Sequence, residues 1–177
     1  AYTHIGLVRR HLADTSKWAP ALAYHMKTED EYKTYTFQLR DDVFWPLPAV
    51  DATDESLAWL INGQTCRPGH FMNGRCRVTA HDLVFMMDML TNPQVAGAAP
   101  MRSYFSNLES YRAIGDFAFE VKYNKKTQTQ DLIVRGLYPM AEHLYAYDQE
   151  GQRYEPEILG SRVADHWYNP NAIGAGP

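Results

Sequence analysis

Four residues that can bind a metal ion or form a disulfide lie close together near the middle of the chain. Cys66, His70, Cys76 and His81 have the spacing C-x3-H-x5-C-x4-H. Thiolates and imidazoles are the usual ligands of Zn²⁺, but common structural zinc motifs contain C-x2-C pairs, which this chain lacks. The residues alone leave three interpretations: a disulfide between the two cysteines, two free thiols, or a zinc site. A redox-active pair is disfavoured because there is no C-x-x-C.

The signatures of the common enzyme classes are missing from the sequence. It contains no G-x-S-x-G, no H-E-x-x-H, no G-x-x-x-x-G-K and no G-x-G-x-x-G. Neighbouring acidic residues do occur, at Asp41-Asp42 and Asp54-Glu55, but such clusters are typical of solvated turns. We therefore predict no catalytic residues and no cofactor.

The composition is that of a soluble globular domain. The chain has 177 residues, of which 45% are hydrophobic and 21% are charged. Its net charge of −4 argues against nucleic acid or an anionic membrane surface as a partner, since such proteins normally carry a basic face. No apolar run approaches the ~20 residues that span a bilayer. The first residues lack the basic and apolar regions of a signal peptide.

Alternating hydrophobicity predicts two β-hairpins. Residues 22–27 and 33–40 form the first, and apolar residues alternate with polar ones along its second strand. Residues 111–114 and 117–123 form the second, with the turn at Gly115-Asp116. The two hairpins are expected to share one largely antiparallel sheet with two or three helices on one face, which is an α+β architecture.

The principal predicted helix begins at Thr79, a residue type that caps helix N-termini, and ends at Asn92-Pro93. Its apolar positions have helical spacing. They are Leu83, Met86, Met87 and Leu90. The methionines have two interpretations, an adaptable binding face or core packing, and the second is favoured because Met commonly fills gaps in cores. A shorter helix is predicted over residues 130–138.

Five short motifs occur in order along almost the whole chain. They are Trp18-Ala-Pro-Ala-Leu-Ala23, Tyr35-Thr-Phe-Gln-Leu-Arg40, Val78-Thr-Ala-His-Asp-Leu-Val-Phe85, Pro139-Met-Ala-Glu-His-Leu-Tyr145 and Gly174-Ala-Gly-Pro177. Together they resemble the family 5 extracellular solute-binding proteins, the peptide- and nickel-binding receptors of bacterial ABC importers. The resemblance covers about residues 5–177 and implies a fold of the type II periplasmic binding protein kind.

The resemblance also implies that the chain is part of a larger protein. Members of this family have two lobes that close around a solute, and residues 1–177 correspond to the smaller subdomain of the first lobe with short flanks. Residues 46–72 depart from the family pattern as an insertion. Within it we predict a short helix that Thr53 caps and Asn62-Gly63 ends.

The same resemblance implies a non-catalytic, monomeric component of an ABC importer, with a peptide or other small solute and a membrane permease as partners. Its location would be the periplasm, or the outside of the cytoplasmic membrane through a lipid anchor. Two rival functions remain. One is a stand-alone interaction module that binds a protein through the inserted loop, and the other is a small hydrolase with an unrecognised site.

Candidate site residues follow from the resemblance. Solute contacts are expected in the loop after the principal helix and beside Gly174, where Ala175 departs from the usual Thr. The expected contact residues in that loop are Met101, Ser103, Tyr104 and Phe105. His143 has two interpretations, a general base or a packing residue, and the second is favoured because the family position is structural. In an oxidising periplasm Cys66 and Cys76 are expected to form a disulfide rather than a metal site.

Overall fold

Within residues 5–169, which the computed structural model describes, eight strands form three antiparallel sheets. They are β1 (Val8–Arg10), β2 (Trp18–Pro20), β3 (Ala23–Glu29), β4 (Thr34–Leu39), β5 (Phe71–Met72), β6 (Arg75–Cys76), β7 (Leu108–Ala113) and β8 (Ala118–Tyr123). The largest sheet has the order β3-β4-β8-β7, so both predicted hairpins lie in one sheet, as expected. The other two sheets are the short pairs β1-β2 and β5-β6.

The central strands β4 and β8 place their apolar side chains on one buried face. Tyr35 is paired with Val121 and Phe37 with Phe119. All four side chains are at most 1% exposed. This alternation confirms the period of two in the sequence, because side chains at every second position of a strand lie on the same face.

Six α-helices accompany the sheets in the described part of the chain. They are α1 (Ala58–Ile61), α2 (Ala80–Thr91), α3 (Ala99–Arg102), α4 (Gln130–Arg135), α5 (Glu142–Tyr145) and α6 (Pro156–Ala164). Helix α2 packs on β7 and β8, and Leu83 and Met87 of α2 are at most 1% exposed. The methionine residues therefore belong to the core, as predicted. No helix among residues 5–169 has the length and apolar content needed to cross a membrane.

Local details differ from the expectations at two places. The sequence is compatible with a short helix at Pro20, because proline is common in the first helical turn, but Trp18–Pro20 is a strand paired with Val8–Arg10. In the inserted segment a 3₁₀ turn over Glu55–Leu57 precedes α1, and Asp54 caps this turn instead of Thr53, because the Asp54 carboxylate accepts the Ser56 N–H at 3.0 Å. These are changes of one residue or one turn, and they leave the α+β architecture intact.

Helix α6 was not predicted, because its sequence begins at Pro156 and contains Gly160, which is a poor helix former. The structure explains this glycine. A Cβ atom at position 160 would lie 2.4 Å from the Asn92 side chain, so the helix approaches the end of α2 too closely for a larger residue. The close contact with α2 thus stabilises a helix whose own sequence has a low helix propensity.

The inserted segment ends in the small hairpin β5–β6, whose turn is Asn73-Gly74, a residue pair typical of such turns. Both residues have positive φ angles, of 52° and 77°. This is the backbone conformation that a tight two-residue hairpin turn requires, and Asn and Gly adopt it most readily. The hairpin brings Cys76 back alongside the start of the loop at Cys66.

Candidate functional site

The segment expected to contact solute forms a short, partly exposed helical stretch after α2. It comprises α3 and a 3₁₀ turn over Ser103–Phe105. Ser103 is exposed and Tyr104 is 43% exposed, while Met101 is half-buried. Phe105 is only 6% exposed and belongs to the core, so its side chain supports the segment from beneath. Gly174 lies outside the described residues.

Cys66 and Cys76 form a disulfide in the structure, with their Cα atoms 5.4 Å apart. Their thiols are therefore not metal ligands. His70 and His81 instead share one carboxylate: His70 Nε2 lies 2.8 Å from Asp116 Oδ2, and His81 Nε2 lies 3.3 Å from Asp116 Oδ1. Within residues 5–169 no group of three or more His, Cys, Asp or Glu side chains is arranged to hold a metal ion.

The shared carboxylate links three separate elements. Asp116 lies in the β7–β8 turn, His81 in the first turn of α2, and His70 in the disulfide loop. The hydrogen bond from His70 is the main reason that the pKa of Asp116 is lowered, and both imidazoles add to the effect. The His81 side chain is 26% exposed, so it is partly withdrawn from solvent.

A buried carboxylate organises the region on the other side of the disulfide. Asp82 is 5% exposed and accepts three N–H donors. Asp82 Oδ2 accepts the Thr79 backbone N–H at 3.0 Å and the Trp45 indole N–H at 3.1 Å, while Oδ1 accepts the Glu142 backbone N–H at 3.1 Å. One side chain thus fixes the start of α2, the segment before the insertion and the start of α5.

Burial shifts the pKa values of two neighbouring groups in opposite directions. It raises the pKa of Asp82 to about 7, although the three donated hydrogen bonds act to lower it. It lowers the pKa of His143 to about 4, because the protonated imidazole would lose its hydration. His143 is therefore neutral at pH 7 and packs 6.1 Å from the Trp45 ring, measured between ring centroids. This agrees with its interpretation as a packing residue.

These two groups line a polar cleft of about 510 Å³ beneath the disulfide. Its lining comes from the disulfide loop, the start of α2, α5 and the segment that follows α5. The lining residues include Gln64, Thr65, the two cysteines, Arg67, Thr79, Asp82, Glu142, His143, Tyr147 and Arg153. The cleft is thus formed by parts of the chain that are up to 89 positions apart in sequence, from residue 64 to residue 153.

Glu142 lies between two arginines in this cleft. Arg153 Nη2 donates to Glu142 Oε1 at 2.9 Å, and Arg67 Nη2 approaches Oε2 at 3.4 Å. The Glu142 side chain is 18% exposed, whereas those of Arg67 and Arg153 are about half exposed, at 43% and 48%. The three side chains together carry one net positive charge and lie near the uncharged ring of His143.

Sequence reasoning missed this cleft and the burial of Asp82. An acidic residue in the first turn of a helix is usually a solvated partner of the helix dipole, so the position of Asp82 in the sequence does not indicate burial. The neighbouring Trp45, which is 1% exposed, supplies the indole donor, but the 37 positions between the two residues carry no pattern that links them. The Pro139–Tyr145 motif did mark the segment that contains Glu142 and His143.

Comparison with solved structures shows which proteins share this fold. The oligopeptide-binding protein AppA from Bacillus subtilis, in complex with a nonapeptide, has a TM-score of 0.67 and 15% identity, over 99% of this chain and 27% of that chain. NikZ from Campylobacter jejuni, in complex with Ni(L-His), has a TM-score of 0.61 and 17% identity, over 99% of this chain and 26% of that chain. OppA from Haemophilus influenzae, in complex with a peptide, has a TM-score of 0.55 and 23% identity, over 98% and 29%.

The chain therefore has the fold of one part of these solute-binding proteins and spans less than a third of their length. At these identities the likeness establishes the fold alone. A scan against protein-family models and a search of curated proteins find no match.

Proposed function

We propose that this chain is the smaller subdomain, with short flanks, of the first lobe of a family 5 extracellular solute-binding protein. The main support is the fold likeness, which extends over 98–99% of the chain in peptide- and nickel-binding proteins but covers only 26–29% of theirs. The proposed whole protein is a monomeric receptor for an ABC permease, located in the periplasm or on a lipid anchor. Its solute is a peptide, and the chain has no catalytic role.

The chain's role in that protein would be to support the fold and to form one wall of the solute cleft. The partly exposed segment over Met101, Ser103 and Tyr104 is the proposed wall, with Gly174 beside it. Helix α2 supports this segment, because Arg102 Nη1 donates to the carbonyl oxygens of Asn92 and Val95 at 2.8 Å each. Such anchoring fixes the backbone while leaving the Tyr104 ring accessible.

The test is to purify the protein encoded by the complete reading frame and to titrate it with short peptides, using tryptophan fluorescence. We expect saturable binding with a dissociation constant on the order of 1 μM. Tyr104→Ala should weaken binding, whereas Tyr24→Ala should not, since Tyr24 is equally aromatic and 60% exposed but lies on the edge strand β3. A reading frame without a second lobe, or a full-length protein that ignores peptides, would contradict the proposal.

One observation favours the second candidate, a protein-interaction module. The inserted segment presents exposed apolar side chains around its disulfide-closed hairpin. They are Leu47 at 61%, Phe71 at 40% and Met72 at 48% exposure. A reading frame that ends near residue 177, together with loss of a partner after Phe71→Ser and Met72→Ser, would favour this candidate over solute transport.

A further inference from the structure

The cleft beneath the disulfide contains a buried polar side chain with unused hydrogen-bonding capacity. His143 is 8% exposed, and within residues 5–169 neither of its ring nitrogens hydrogen-bonds another residue, although its backbone carbonyl accepts the Thr65 hydroxyl at 2.6 Å. A neutral imidazole has one N–H donor and one nitrogen acceptor. Buried polar groups in native proteins are nearly always paired. The open side of the cleft is where a partner for His143 has room.

The guanidinium groups at the same cleft also have donors to spare. An arginine side chain has five N–H donors. In the described part of the chain Arg67 donates one of them, to Glu142, and Arg153 donates two, to Glu142 and the Tyr147 hydroxyl. Glu142 holds both side chains in place and so limits their loss of freedom when a ligand arrives.

We propose that this cleft binds a small carboxylate-bearing molecule. Its carboxylate would lie on the guanidinium groups of Arg67 and Arg153, and a second polar group would hydrogen-bond His143. The planar fork of an arginine matches a carboxylate in a bidentate arrangement. The volume of about 510 Å³ leaves room for such a molecule together with water.

The charges of the residues that line the cleft favour a ligand with one negative charge over a ligand with two. Arg67, Arg153 and Glu142 together carry one net positive charge, and Asp82, whose pKa burial raises to about 7, adds part of a negative charge at neutral pH. The net positive charge of the cleft is therefore at most one, which a single carboxylate neutralises. A phosphate with two negative charges would bring an excess charge next to Glu142 and above the buried Asp82. His143 does not compensate for it, since burial lowers its pKa and keeps the ring neutral.

The site does not depend on the solute cleft between two lobes. Met101, Ser103 and Tyr104, the residues proposed to contact solute, are not among the residues that line it. Binding here can therefore be measured on the 177-residue chain itself, and its failure would leave the proposed transport function untouched.

The experiment is an NMR titration of the ¹⁵N-labelled chain with N-acetylglycine at neutral pH and constant ionic strength. N-acetylglycine combines a carboxylate with an amide that can reach His143. We expect shifts at the backbone amides of Thr65, Cys66, Glu142 and His143, with a dissociation constant on the order of 1 mM for so small a ligand. N-acetylglycinamide, which lacks the carboxylate, should leave these signals unchanged.

Three variants locate the site. Arg153→Gln removes one guanidinium group and should weaken binding at least ~10-fold, the loss expected for hydrogen bonds to a charged group. His143→Phe keeps a ring of similar size and should weaken binding about 5-fold, as for one neutral hydrogen bond. Arg75→Gln is the matched control, because Arg75 is exposed on β6 and does not line the cleft. It should bind like the parent chain.

Three results would overturn the proposal. These are the absence of shifts with N-acetylglycine, equal binding by the Arg153→Gln and Arg75→Gln variants, and tighter binding of inorganic phosphate than of N-acetylglycine. If Arg153→Gln fails to fold, Arg67→Gln takes its place, since its guanidinium lies half exposed at the other side of Glu142.

Discussion

Replacing Asp82 with Asn should reveal a pH dependence of stability that two buried groups cancel in the parent chain. Burial raises the pKa of Asp82 from its ordinary value of 3.8 to about 7 and lowers that of His143 from 6.5 to about 4. Between these limits the folded chain binds a proton at Asp82 that the unfolded chain does not. At His143 the unfolded chain binds the proton instead.

The signs of the two contributions follow from proton linkage. Stability rises with pH wherever the unfolded state binds more protons. His143 therefore stabilises the folded chain fully above pH 6.5 and loses this contribution as the pH falls towards about 4. Asp82 acts in the opposite sense: its contribution is full below pH 3.8 and is lost as the pH rises through about 7. Each pH unit corresponds to ~1.4 kcal/mol per proton.

The expected magnitudes are large enough to measure. Over the whole interval Asp82 accounts for ~4 kcal/mol and His143 for ~3 kcal/mol, as upper values from complete titration of each group. Near pH 5 the two contributions should nearly cancel. The free energy of unfolding of the parent chain should thus change little with pH on account of these two groups. In Asp82→Asn the free energy of unfolding should rise by ~1.4 kcal/mol per pH unit relative to the parent, and in His143→Phe it should fall by a similar amount.

The assay is urea denaturation of the oxidised chain at several pH values between 4.5 and 6.5, a window inside the pKa limits of both groups. Each variant is compared with the parent at the same pH, so that other titrating groups cancel. Parallel pH profiles for the parent and Asp82→Asn would refute the reasoning. That result would mean that the N–H groups of Thr79, Trp45 and Glu142 offset the effect of burial on the pKa of Asp82.

Three further predictions concern packing and the disulfide. Leu83→Ala should lower the free energy of unfolding by ~2–5 kcal/mol through lost burial and a cavity, since Leu83 is 1% exposed, and urea denaturation measures it. Gly151→Ala should lower the melting temperature more than Gly115→Ala does: both glycines have positive φ, but only at position 151 would a Cβ meet a ring, 2.6 Å from Trp59 Cγ. Calorimetric melting curves of equal midpoint would contradict that account. Reduction should expose two alkylatable thiols that the oxidised chain lacks, as read from intact mass, and should cost ~2–3 kcal/mol for a closed loop of this length.

The sheet and the principal helix could be predicted because their signals are local. Strand β4 alternates over six residues, and α2 has a capping residue, helical spacing of apolar side chains and a stop at Asn92-Pro93. Helix α6 has no such signal. It is stable because Gly160 allows close contact with Asn92, and a tertiary contact of this kind leaves only an unexplained glycine in the sequence.

The cleft could not be predicted for a related reason. Its charged residues come from the disulfide loop, from α5 and from the segment after α5, and each of them alone resembles an ordinary surface residue. Glu142 and Arg153 are 11 positions apart and Arg67 and Glu142 are 75 apart. Only the folded arrangement shows that Glu142 joins both arginines. The Cys66–Cys76 disulfide was the part of this region that was expected, from the family resemblance and the oxidising periplasm that it implies.

The central claim, that this chain is one part of a two-lobed receptor, is tested most directly by calorimetric titration of the 177-residue chain alone with mixed short peptides. Because the proposed second lobe supplies the rest of the solute contacts, the account predicts a folded chain with no binding tighter than a dissociation constant on the order of 100 μM. Tight binding, with a dissociation constant of about 1 μM or less, would contradict it and would show that the chain holds solute without a second lobe.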